Sequence, residues 1–272
     1  MSSGSIFAGW IAPSPGEGAS LAGATLRWKD SRVTTVEPQG AVDVAEAMPV
    51  ESASAGWRAD SGLFADLPAD RRLIVPALAN AHDHARTYRS STLGGSGKPL
   101  ESWLPLLSLL PGVDPYLVAA NSFARSLRRG VTALMVHYTR AQGTVSPVDE
   151  ALAVARAARD VGLKIGFAVA FRDSYPLGYC DSSIVLEALR PSIRDRIASR
   201  LATAPLPIAV QMERFAQIAA AIESDSSLSE AVTVQLGPMA VQWCSQPLLE
   251  AVARESADRQ RPGAARATPR PQ

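Results

Sequence analysis

From Leu73 onward the chain alternates near-continuous apolar runs with stretches in which apolar positions recur every three or four residues. The runs Leu73 to Leu78, Val131 to His137, Leu163 to Phe171 and Ala231 to Leu236 lack the alternation of a half-exposed strand, so they predict parallel strands covered on both faces. Helical periodicity between them predicts about four βα units. Before Leu73 the texture is different. Short apolar runs at Ile6 to Ile11, Ala22 to Trp28 and Arg32 to Val36, set in Gly, Ala, Ser and Pro, predict a small β domain.

The helices carry their own punctuation. Asp114 before Pro115 offers a capping carboxylate ahead of a first-turn proline, and Leu117, Ala120, Ala124 and Leu127 form a stripe that stops at Gly130. Ser146 and Pro147 open the next helix, with Asp149 and Glu150 in its positive first turn and Gly162 as a left-handed cap. Pro191 divides the stretch from Ser183 to Ala202 into two short helices, because its ring and missing N–H end a helix that reaches it. Another helix is predicted from about Ile208 to Ile222, and Ser245 caps a last one that runs to about Ser256. Residues 258–272, DRQRPGAARATPRPQ, hold no aliphatic side chain larger than alanine and cannot join a core; they predict a disordered tail. The abrupt change of composition is what a GC-rich gene yields when read out of frame, and the expectation is a frameshift or truncation near Asp258. The predicted organisation is thus 1–72, 73–257 and 258–272.

At 272 residues, 47% of them hydrophobic and 19% charged, the chain can bury a real core. A net charge of +1 gives no electrostatic footprint for nucleic acid or an acidic membrane surface, which points to a small-molecule substrate. Cys180 and Cys244 stand alone, in no disulfide or zinc pattern; MSSGSIFAGWIAPSPGEG shows no basic leader and too short an apolar run for a signal peptide, and no stretch approaches the apolar length of a membrane span. A soluble, cytoplasmic protein is the expectation.

The chemistry concentrates in LIVPALANAHDHAR. Side chains alternate along a strand, so His82 and His84 share a face at the strand's end while Asp83 points the other way. Two of the chain's three histidines therefore offer neutral imidazoles to one zinc or iron ion. His137, ending the next strand, reads as a hydrogen-bonded rim histidine, and Arg172 with Asp173 as a surface ion pair. Trp103, in the long segment from Arg86 to Pro111, reads as core burial ahead of a pocket wall. The run Gly95-Ser96-Gly97-Lys98 is not a phosphate loop, because Pro99 replaces the hydroxyl residue that such a loop needs for magnesium.

On VPALANAHDHAR, the GATLRWKDSRVTTVEP segment and the βα units that follow, the chain resembles the N-terminal portion of the amidohydrolase superfamily, particularly its cytosine-deaminase-like branch. The resemblance implies the N-terminal half of a (β/α)8 barrel of the TIM type, preceded by a partial small β-sandwich, with the site at the carboxyl ends of the strands. It implies that His82 and His84 ligate a catalytic divalent metal, one ion rather than two, because Gln235 stands where two-metal relatives place a bridging lysine or glutamate. Gln235 is then a substrate contact; as a bare residue it reads equally as a polar group bonded at a strand end. The further histidines and the aspartate that family members carry on later strands are not found here.

The function implied is hydrolysis of carbon–nitrogen bonds other than peptide bonds, by metal-activated water, on a cyclic amide, an amidine or an amine-bearing heterocycle. Two imidazoles hold a metal weakly and supply no general base, so this truncated form is expected to be inactive. The alternative is a noncatalytic remnant or interaction module. A metallophosphoesterase would need more histidines than three. A half barrel leaves unpaired edge strands, which invite self-association.

Overall fold

A computed structural model describes residues 3–12, 20–30, 32–38, 68, 71–87, 91, 94–99, 107, 110–174, 181–201 and 205–259. Trp103, Cys180 and residues 260–272 of the expected tail lie outside them. The chain divides into two compact units, Met1–Ala77 and Leu78–Gln272.

In the first unit, β1 (Ser3–Ile11), β2 (Leu21–Lys29), β3 (Arg32–Pro38) and β4 (Leu73–Ile74) make one sheet in the order β3-β2-β1-β4. β1, β2 and β3 pair antiparallel, whereas β4 runs parallel to β1, with Trp10 opposite Leu73 and Ile11 opposite Ile74. Ala8, Ile11 and Ala24 form its buried centre. Gly4 is required where it stands, because a Cβ there would fall 2.3 Å from the Trp28 indole lying across it. The expected strand from Leu73 to Leu78 is therefore two strands. Pro76, which has no N–H to give a ladder, lies between Ile74 of the first sheet and Leu78, where the second sheet begins.

The second unit is a four-stranded, all-parallel sheet in the order β5-β6-β7-β8, formed by Leu78–Asp83, Val131–Tyr138, Lys164–Phe171 and Val232–Pro238. Its helices are α1 (Pro115–Leu127), α2 (Pro147–Val161), α3 (Ser182–Ala188), α4 (Pro191–Leu201), α5 (Ile208–Glu223), α6 (Ser226–Ser229) and α7 (Gln246–Asp258). The predicted caps form: Asp114 accepts from the Leu117 N–H at 2.9 Å, Ser146 from Asp149 at 3.2 Å, and Ser245 from Leu248 at 3.3 Å. Gly162 closes α2 at φ +85°, a conformation that costs any other residue strain. Two short helices do flank Pro191, and α7 runs two residues past Ser256.

One face of the parallel sheet is the core. Leu134, Val136, Ile165, Phe167, Val169, Phe171, Val232, Val234 and Leu236 are buried on it, packed with Phe123 of α1, Val154 of α2 and Phe215 of α5. Each such side chain contributes about 1.5–3 kcal/mol by leaving water. Of the predicted α1 stripe, Ala120 and Leu127 pack against the core but Leu117 is 61% exposed, and the helix's buried side chains include Val118, Ala119, Ser122 and Phe123. That second stripe has the same periodicity, and Phe123 brings it the largest apolar surface. The opposite face of the sheet carries small or flexible side chains, among them Ala133, Met135, Gly166, Thr233 and Gln235, and lines a cavity of about 380 Å³. The four described strands form an open sheet with β5 and β8 outermost.

Candidate metal centre

The carboxyl ends of β5 to β8 form one rim, where an open parallel sheet places its ligand site. On β5 the ladder breaks. Asn80 pairs with Leu134, so plain alternation would set His82 against Val136, yet Asp83 holds that position. The extra residue is a β-bulge, and it reverses which face the following side chains take. Met135 and His137 occupy the face away from the helices, and the bulge brings His82 and His84 onto it.

Side chains replace the ladder bonds that the bulge removes. The Asn80 Oδ1 accepts from the His82 N–H at 3.1 Å, and the Asp83 Oδ1 accepts from the buried Ala85 N–H at 2.7 Å. The Asn80 amide also donates to the Asp83 Oδ2 at 3.2 Å. Ala85 lies at φ +51°, a left-handed conformation that the Asp83 bond holds in place. Asp83 thus shapes the corner from outside the histidine pair.

All three histidines meet here. The His82 and His84 rings lie 5.0 Å apart edge to face, and His137 stacks on His82 at 4.4 Å. The His84 Nδ1 donates to the His137 carbonyl oxygen at 2.7 Å; the carbonyl can only accept, so Nδ1 carries the proton and Nε2 presents a lone pair. The Thr139 hydroxyl lies 3.5 Å from the same nitrogen. Burial holds the His84 pKa below the ordinary 6.5 against the opposing pull of the His137 carbonyl, which keeps the imidazole neutral. The His137 pKa is also lowered, by burial first and then by His82 and His84, while a bond to the Ala81 backbone opposes the shift. His137 is thus the hydrogen-bonded rim histidine expected, and its carbonyl in addition orients His84. The signal for that second role was its position at the end of the neighbouring strand.

Two imidazoles, that of His84 with its tautomer set by a backbone carbonyl, suit two positions of a tetrahedral zinc or iron site. No group of three or more His, Cys, Asp or Glu able to hold a metal occurs among the described residues.

Gln235 shares a row with His137 through Ala168, two strand spacings away, or roughly 10 Å. Its amide folds back over Gly166, where a Cβ would stand 3.1 Å from the Gln235 Nε2 and from the Met135 sulfur. It lines the 380 Å³ cavity, which the histidines do not. The structure therefore brings His82 and His84 together and leaves Gln235 apart from them.

Arg172 and Asp173 are not an ion pair. The Arg172 guanidinium stacks 4.5 Å over the Trp243 ring and donates from Nε to the Ser174 carbonyl, and burial lowers its pKa. Asp173 instead accepts from the Ser245 N–H at 2.6 Å and hydroxyl at 2.5 Å, fastening the start of α7. Glu150 is also more than a first-turn charge. It is 1% exposed and accepts from the Tyr138 hydroxyl and from the N–H groups of Gln142 and Gly143, tying the loop after β6 to α2. Burial, then the Glu150 bond, raises the Tyr138 pKa.

This α/β architecture is similar to that of solved deaminases and hydrolases. A guanine deaminase from C. acetobutylicum with bound guanine matches over 96% of this chain and 52% of its own, at TM-score 0.55 and 12% identity. An adenosine deaminase from Xanthomonas campestris with bound zinc matches over 95% and 48%, at 0.57 and 17%. A triazine hydrolase variant matches over 95% and 51%, at 0.53 and 14%. The chain spans about half the length of these proteins, and at such identities the likeness is one of fold. No family model and no curated protein matches the sequence.

Proposed function

We propose that the chain carries the metal-anchoring part of a hydrolase acting on carbon–nitrogen bonds other than peptide bonds, with His82 and His84 holding a single divalent ion, zinc or iron. The observation that carries this reading is the β5 bulge, with two imidazoles side by side on the rim of a parallel sheet. A fold shared with zinc-bound and guanine-bound deaminases supports it. When bound there, a divalent ion supplies Lewis acidity, lowering the pKa of water toward neutrality and polarising an amide or amidine carbon. The chain's own residues supply orientation: the His137 carbonyl and Thr139 fix His84, Asn80 and Asp83 fix the corner, and Gln235 contacts the substrate after swinging from Gly166. The substrate is a cyclic amide, an amidine or an amine-bearing heterocycle.

With only three histidines in this sequence and no described group of three ligands, the isolated chain is proposed to bind metal weakly and not to turn over. Its outer strands β5 and β8 are proposed as sites of self-association. No described helix is long and apolar enough to cross a membrane.

The test is calorimetric titration of aminoheterocycles and cyclic amides into zinc-loaded and chelator-stripped protein. Zinc-dependent binding that disappears in the His82→Ala/His84→Ala variant supports the reading. Zinc-independent behaviour throughout points to a noncatalytic interaction module, and ammonia release by the isolated chain overturns the proposal of inactivity.

A further inference from the structure

β6 ends in a turn that serves both faces of the sheet. The Thr139 N–H donates to the His137 carbonyl oxygen at 2.9 Å, closing a three-residue turn with Tyr138 at its centre. Asp30 and Ala85 are the described non-glycine residues of positive φ, so the turn at Tyr138 is of the inverse kind that commonly ends a strand. The same carbonyl oxygen accepts from the His84 Nδ1 at 2.7 Å, and the Thr139 hydroxyl stands 3.5 Å from that nitrogen. Both groups that meet the protonated nitrogen of His84 therefore come from the residues flanking Tyr138.

Alternation along β6 sends the Tyr138 side chain to the helix-covered face while His137 faces the site. There the Tyr138 ring packs 5.1 Å from the ring of buried Phe167, and its hydroxyl donates to the Glu150 carboxylate. Glu150 stands on a firm base. It lies in the first turn of α2, a helix capped by Ser146 whose Ala151, Val154, Ala155 and Ala158 are buried in the core. The same carboxylate accepts from the Gln142 N–H at 2.5 Å and the Gly143 N–H at 3.2 Å, so it grips the segment after β6 at two points. A first-turn carboxylate complements the helix dipole just as well from an exposed position, as Asp149 does, whereas burying a charge is costly unless donors meet it. The burial of Glu150 thus serves the segment it holds.

We propose that Tyr138 and Glu150 are positioning residues for the metal centre: through the turn at Tyr138, the buried pair aims the His137 carbonyl at the His84 Nδ1, keeps the proton on that nitrogen and so leaves the Nε2 lone pair for the ion. Neither side chain touches the ion; both act through the backbone from the far face of the sheet. The link to a metal rests on the function proposed above. The aiming of His84 does not, because it can be read in metal-free protein.

The experiment records the ring nitrogen NMR shifts of the histidines in the full, zinc-free chain at neutral pH, with the His84 signals assigned by their loss in His84→Ala, and then zinc affinity by competitive titration. In the parent, the two His84 nitrogens should give the widely separated shifts of one tautomer, protonated at Nδ1. Tyr138→Phe keeps the ring against Phe167 and removes only the hydroxyl. It and Glu150→Gln are each expected to draw those two shifts together as the second tautomer appears, and to weaken zinc about tenfold, the lower end of the scale for a group that orients a ligand. Ser245→Ala, which uncaps α7 and whose lost bonds run to Leu248 and Asp173, should lower Tm yet leave both readouts at parent values. Should Glu150→Gln melt early, Tyr138→Phe carries the test alone. Unchanged His84 shifts in Tyr138→Phe or, in a chain that binds zinc, unchanged affinity overturn the proposal, as does an equal change in Ser245→Ala. Shifts that converge in both variants of a chain that takes up no zinc support the aiming of His84 and sink the metal reading instead.

Discussion

Asp83 does not face the histidine pair, yet its removal should damage the site through the backbone. Replacing it with alanine takes away a carboxylate that accepts from the Ala85 N–H at 2.7 Å, where Ala85 is 1% exposed, and from the Asn80 amide at 3.2 Å. A hydrogen bond to a charged group contributes about 1.5–3 kcal/mol, and the orphaned N–H is buried, so Asp83→Ala should cost about 2 kcal/mol. For a unit of this size that is a fall of roughly 4–8 °C in Tm. Ala85, at φ +51°, then loses the contact that offsets its left-handed backbone, a strain of about 1–2 kcal/mol in an L-residue. Adding Ala85→Gly to Asp83→Ala should recover about 1 kcal/mol of the loss. Because the corner sets the direction of His84, zinc affinity should fall about 10- to 100-fold in Asp83→Ala, the usual scale for a residue that orients a ligand. Urea unfolding and competitive zinc titration measure the two effects. Unchanged stability within about 0.5 kcal/mol, with unchanged zinc affinity, would refute the reasoning about the bulge.

Glu150→Gln keeps the volume but turns an amide toward three donors, and should destabilise by about 1–3 kcal/mol; in a double-mutant cycle with Tyr138→Phe, a coupling below about 0.5 kcal/mol would show that the buried pair contributes nothing. The folded state depresses the pKa of His84 and His137, so below about 6.5 the unfolded chain takes up protons that the native one refuses. Stability of the metal-free protein should therefore fall as pH drops through that value, and a flat or rising profile in urea melts from pH 7.5 to 5 would contradict the burial of these rings. Gly237→Ala should cost about 1–3 kcal/mol, because its Cβ would fall 2.9 Å from the Val169 carbonyl and 3.0 Å from the Ala168 Cβ; thermal melting checks it, and a neutral result would mean that β7 and β8 give way easily.

Much of the second unit was legible because its signals are local. A capping side chain such as Ser146 or Ser245, a Pro in the first turn and the left-handed Gly162 act within a few residues of themselves, and continuous apolar runs mark strands covered on both faces. Long-range choices were less visible. Leu73 to Leu78 reads as one run, but distant pairing partners pull Leu73 to Trp10, 63 residues before it, and Leu78 to Val131, 53 residues after it. Helix α1 offers two apolar stripes of equal period, and only the position of the sheet decides that Phe123 rather than Leu117 turns inward. Charge is the least local of all: Glu150, Arg172 and Asp173 sit where surface ion chemistry is ordinary, and their partners Tyr138, Trp243 and Ser245 come from other elements. At the site, simple alternation did place His82 and His84 on one side. The extra residue in β5 that puts them on the face of Met135 and His137 leaves no mark in a hydrophobic pattern, and Asn80 and Asp83 show their purpose only beside the broken ladder.

The central claim is that His82 and His84 together hold one divalent ion. Elemental analysis of the full chain after equilibrium dialysis against buffered zinc, run beside the His82→Ala, His84→Ala and double variants, tests it most directly. The account predicts saturable uptake that does not exceed one ion per chain, is weakened by either single change and is abolished by the double one, while His137→Gln, which keeps its backbone carbonyl, retains most of the binding. Zinc content in the double variant equal to that of the parent would contradict it.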